Sequence, residues 1–65
     1  MLDQQRIETM DVHILLSIVN MQIRNDFGSF SELCQFYALD QDKLTQRLQQ
    51  AGYELRAQQQ QFIVS

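Results

Sequence analysis

The sequence predicts a small, mainly α domain of the α+β class: three helices, the second and third in a helix-turn-helix, and a C-terminal β-hairpin. Three observations carry this. An apolar run with helical periodicity spans Val12 to Arg24. Apolar anchors and small residues between positions 30 and 48 follow the spacing of two short, steeply crossing helices. After Gly52 the apolar period shortens from about 3.6 residues to 2.

The first helix is the most apolar segment. At about 100° per residue, Val12, Leu15, Leu16, Val19 and Ile23 form one stripe. Ile14, Ile18 and Met21 form a second on roughly the opposite side, and His13, Ser17, Asn20 and Arg24 make a polar strip. Such a helix calls for cover on more than one side. Asp11 is the favoured N-cap, with Thr9 as the other candidate. The helix is expected to end near Arg24–Asp26, before Gly28. Residues 1–10 show no capping pattern and are expected to be a flexible lead-in, with residues 11–65 as the folded domain.

Ser29 with Glu32 has capping-box spacing and opens the second helix, which runs to about Tyr37. Phe30, Leu33, Cys34 and Tyr37 share its buried face. Asp40 caps a third helix, Gln41 to Ala51, whose core positions are Leu44, Leu48 and Ala51. Gly52 falls where a left-handed residue ends a helix. In the tail, Tyr53 and Leu55 alternate with Glu54 and Arg56; Phe62 and Val64 lie on one face of a second run and Ile63 on the other. Ala57-Gln58-Gln59-Gln60 is a polar connection of hairpin length. The rival is a third helix continued through the glutamines, but Gly52 before and Phe-Ile-Val after favour the hairpin. With the helix-turn-helix this reads as a miniature winged helix.

Size and charge narrow the function. A chain of 65 residues is one domain at most. It buries only about 60% of its unfolded surface and is marginal alone. A single cysteine, Cys34, allows no internal disulfide. One cysteine and one histidine without ligand spacing suggest no metal, and no cofactor is expected. The glycines form no phosphate loop and no titratable groups converge, so no enzyme is expected. Cys34 reads as a buried, inert thiol. The net charge is −3 and the pI about 4.7. The acidic excess lies in residues 1–39, and residues 40–65 are neutral. The polar N-terminus lacks a basic flank and apolar core, and the run 12–23 is too short to span a membrane. A cytoplasmic protein without membrane contact is expected.

Oligomerisation is the remaining route to stability. Ile14, Ile18 and Met21 are the candidate self-association side, each contributing about 1.5–3 kcal/mol if buried in a homodimer or against another protein. The His13, Ser17, Asn20, Arg24 strip is either a small anion or partner contact, a solvated face, or a place where Ser17 or Asn20 bonds the tail backbone and fixes its register. The alternative function is weak DNA binding through residues 30–51 and the wing, with Gln41, Lys43, Thr45, Gln46, Arg47 and Arg56 as contacts. Asp40 and Asp42 in the first turn of the presumed recognition helix repel phosphate and disfavour it.

The runs Asp11 through Asn20, Arg24-Asn25-Asp26, Ser31 through Cys34, Leu39-Asp40 with Leu44 and Leu48, Ala51 through Glu54, and Gln61-Phe62 resemble the DUF4250 family, a domain of unknown function. The likeness covers about residues 10–63; the D-x-x-x-L-L-S-x-x-N and G-Y-E blocks are its most specific parts. It implies a small bacterial cytosolic protein and no assigned activity. The chain departs from the pattern in its ten-residue lead-in and at Arg56-Ala57-Gln58-Gln59, where a more acidic, asparagine-containing turn is expected.

Overall fold

The computed structural model describes residues 2–64. The chain forms α1 (Gln4–Thr9), α2 (Val12–Gln22), α3 (Phe30–Tyr37), α4 (Gln41–Gln50), β1 (Tyr53–Arg56) and β2 (Gln61–Val64). The fold is thus mainly helical, with a C-terminal antiparallel hairpin as the sequence suggests, but there are four α-helices among the described residues rather than three.

The extra helix is the lead-in, for which no cap was foreseen. The Asp3 side chain accepts from the backbone N–H of Arg6 at 2.8 Å and opens α1. Leu2 and Ile7 are buried in the core. A six-residue helix is too short to hold itself, and tertiary contacts supply the difference. The Arg47 guanidinium of α4 donates to the carbonyls of Ile7 and Met10, so a cation sits on the negative end of α1. Gln4 Oε1 accepts from the backbone N–H of Asp40 at 2.8 Å.

Asp11 caps α2, accepting from His13 N–H at 2.7 Å. Leu15, Val19 and Ile23 form the buried centre of its stripe; Val12 and Leu16 flank it, half-buried. The α-helix ends at Gln22, earlier than the pattern suggests, and widens into a π turn over Ile23–Phe27. That turn closes on Gly28, whose N–H donates to Ile23 O at 2.7 Å with φ of 80°. Only a glycine takes this left-handed conformation without strain.

Ser29 caps α3, accepting from Glu32 N–H at 3.2 Å. Ala38 ends it in the left-handed region, with φ of 55°. Leu39 N–H reaches Cys34 O at 2.8 Å and Ala38 N–H reaches Gln35 O at 3.3 Å, the paired bonds of a Schellman motif. An alanine Cβ is crowded in this conformation. Ala38→Gly is therefore expected to stabilise the domain by about 0.5–1 kcal/mol, read from the midpoint of urea unfolding. Asp40 then caps α4 through Lys43 N–H at 3.2 Å. The helix-turn-helix anchors Leu33, Cys34, Leu39, Leu44 and Leu48 are all buried.

The hairpin pairs Tyr53 with Val64, Glu54 with Ile63, Leu55 with Phe62 and Arg56 with Gln61. Residues 57–60 make the turn, with the N–H groups of Gln59 and Gln60 both donating to Arg56 O. Phe62 enters the core, its ring edge-on to Phe30 at a centroid distance of 4.9 Å. Gln60 couples the turn to α3, its Oε1 accepting from Phe30 N–H at 3.0 Å. No helix among the described residues is long and apolar enough to cross a membrane.

Candidate functional site: the outer side of α2 and its surroundings

Packing α2 on its Leu15–Val19–Ile23 stripe turns Ile14 and Met21 outward, since they lie about 100–120° from Leu15 around a helix. Ile14 is 56% exposed and Met21 45%. Ile18, between them in sequence, is half-buried and packs against the core. The three residues expected to act together thus divide into two open side chains and one that also supports the fold.

The polar strip does not converge on one site. His13 Nδ1 lies 3.3 Å from the Tyr53 hydroxyl, with the rings edge-on at 6.1 Å. Ser17 Oγ donates back to His13 O within α2. Arg24 is exposed in the π turn. Asn20 instead faces the hairpin: its Nδ2 donates to Phe62 O at 2.9 Å and its Oδ1 accepts from Phe62 N–H at 2.8 Å. Gln61 Nε2 adds a bond to Asn20 O at 3.0 Å. The Asn20 amide pairs with Phe62 as a neighbouring strand would, and holds the register of the tail. An anion site built from these four side chains is not what the geometry brings together.

Two further features come from residues the sequence reading did not single out. Gln22 is buried, and its Oε1 accepts from the Tyr37 hydroxyl at 2.7 Å. Its position seven residues after Leu15 was the available signal, because that spacing returns to the same helix face. Phe36 is 71% exposed. Its ring sits 5.2 Å from Phe27 and 5.0 Å from Tyr37, so the π turn and the end of α3 present a three-ring aromatic cluster. The signal was an aromatic lying off the Phe30–Leu33–Cys34–Tyr37 stripe.

The contacts foreseen for DNA are scattered in use. Gln41, Lys43 and Gln46 are exposed, Thr45 is half-buried and Arg56 is exposed on the hairpin. Arg47 has its guanidinium bound to the end of α1. Chemistry at Cys34 is suppressed: burial, and secondarily the Asp40 carboxylate, pushes its thiol up to about 11. It stays protonated at neutral pH and is a poor nucleophile. Among the described residues no three His, Cys, Asp or Glu side chains gather where a metal ion could sit.

Comparison with known families gives a match. The family model described as "Domain of unknown function (DUF4250)" matches residues 9–62, from the end of α1 to Phe62. The chain belongs to the DUF4250 family. The matched span takes in α2, the helix-turn-helix anchors and both Asn20 and Phe62, and leaves most of α1 outside. No curated protein and no solved structure matches the chain.

Proposed function

We propose that this DUF4250 domain is a non-catalytic interaction module of the cytoplasm that associates with a second copy of itself through the outer side of α2. The observation that carries the reading is the exposure of Ile14 and Met21 on one side of a helix whose other side is core. A domain this small also gains the most from added burial. The acidic net charge and the engagement of Arg47 with α1 both weigh against a phosphate-binding surface. A protonated, buried Cys34 and a His13 placed against Tyr53 offer no acid, base or nucleophile pair.

Covering the open halves of Ile14 and Met21 contributes about 1 kcal/mol per side chain. Association itself costs about 4 kcal/mol or more, so these two side chains on each copy do little more than offset it; the dimer is weak and is sought at concentrations up to millimolar. Sedimentation equilibrium is expected to show a mass rising from 7.7 kDa toward twice that value. Ile14→Glu is expected to remove association through α2, and so lower the mass reached at a given concentration, without unfolding the chain, because the position is open. Ile18→Glu is the poorer control, since Ile18 also packs on the core. A wild-type mass that stays monomeric from micromolar to millimolar overturns the proposal.

A further inference from the structure

The hairpin has one edge that α2 closes and one whose backbone groups no other described element bonds. Both Phe62 backbone groups bond to Asn20, so they point away from β1. In an antiparallel ladder the residue opposite then also turns its N–H and C=O outward. That residue is Leu55, and two positions earlier Tyr53 has the same orientation. The sheet has two strands, so these groups form its outer edge. Among the described residues no hydrogen bond to the outward groups of Tyr53 or Leu55 comes from another element. An edge of this kind is a template for a further strand.

We propose that the outer edge of β1 pairs with the same edge of a second copy, antiparallel about Leu55, to make a four-stranded intermolecular sheet. The charges on β1 select this partner and this register. Glu54 and Arg56 flank Leu55, are exposed, and make no ion pair with one another or with other described residues. With a two-fold axis at Leu55, each Glu54 stands opposite Arg56 of the second copy. The two Leu55 residues exchange a pair of N–H to O=C bonds, which places both Glu–Arg pairs at the closer, non-hydrogen-bonded positions. The register that satisfies the backbone is therefore the one that matches the charges; one shifted by two residues along the strand loses both pairs. This contact goes beyond the α2 contact, uses a different surface and stands without it.

The test uses the full chain carrying Ile14→Glu and Met21→Glu, so that association through α2 does not contribute. At micromolar concentration the Leu55 amide is unpartnered and exchanges fast with solvent; its exchange is expected to slow as concentration rises to millimolar. Glu54→Arg makes the edge wholly basic and Arg56→Glu makes it wholly acidic. Each alone is expected to weaken pairing by about tenfold or more, since both cross-strand attractions become repulsions. An equimolar mixture of the two is expected to restore slow Leu55 exchange and a dimer mass. Circular dichroism confirms that each variant is folded, as expected for exposed positions. Leu55 exchange that ignores concentration overturns the proposal, as does a mixture that associates no better than its components.

Discussion

Phe62→Ala is expected to lower the unfolding free energy by about 3–5 kcal/mol, enough to leave much of the chain unfolded at room temperature. Phe62 is the one hairpin side chain fully buried among the described residues, and it joins three elements at once. Its ring meets Phe30 of α3 edge-on, and its backbone is gripped by Asn20 of α2. An alanine there leaves a ring-sized void, and the aromatic contact is lost as well. A two-stranded hairpin has little stability of its own, so its docking rests largely on this side chain. Urea unfolding followed by circular dichroism measures the change. Phe62→Leu, which refills most of the volume, is expected to recover more than half of it.

Asn20→Ala is expected to cost about 2–3 kcal/mol, because it strands a half-buried donor and acceptor of Phe62 together. Asn20→Asp separates the two. The carboxylate still accepts from Phe62 N–H but sets a second acceptor against Phe62 O. The aspartate variant is therefore expected to be as unstable as the alanine variant at neutral pH. It regains stability as pH falls through the carboxylate range, because the protonated acid donates to Phe62 O again. The local readout is the Phe62 amide, whose bond goes to Asn20. Its hydrogen exchange is expected to quicken in Asn20→Ala while amides in the centre of α2 keep the slower rate set by global unfolding.

The parts of this fold that the sequence makes legible are those set by local chemistry. Asp11, Ser29 and Asp40 each accept a hydrogen bond from the first turn of the helix they precede. Gly28 interrupts the helical run as expected, and Gly52 takes the left-handed conformation its position called for. The anchors Leu33, Leu44 and Leu48 are buried as the helix-turn-helix spacing requires. Residues 57–60 form the turn, so the glutamines do not prolong α4. What was not legible depends on residues far apart in the chain. α1 is held by Arg47 and by the link from Gln4 to Asp40, partners 36 to 40 residues away. Leu2 and Ile7 alone are too few to show a period. The Asn20 clamp spans 42 residues; the polar strip pointed to Ser17 or Asn20 as the side chain that bonds the tail backbone, but not to which of the two or to Phe62 as the residue held. That Ile14 and Met21 lie off the core stripe follows from the helical period, but that Ile18 between them is half-buried against the core depends on what packs beside α2, which periodicity does not fix.

Isotope-filtered NMR on an equimolar mixture of labelled and unlabelled protein at millimolar concentration tests the central proposal most directly. If copies of the chain meet through the outer side of α2, intermolecular cross-peaks connect the Ile14 and Met21 methyl groups of one chain to the same side chains of the other, and Ile14→Glu removes them. A dimer-sized particle without intermolecular cross-peaks at Ile14 or Met21, or a chain that gives none and remains a monomer, contradicts it.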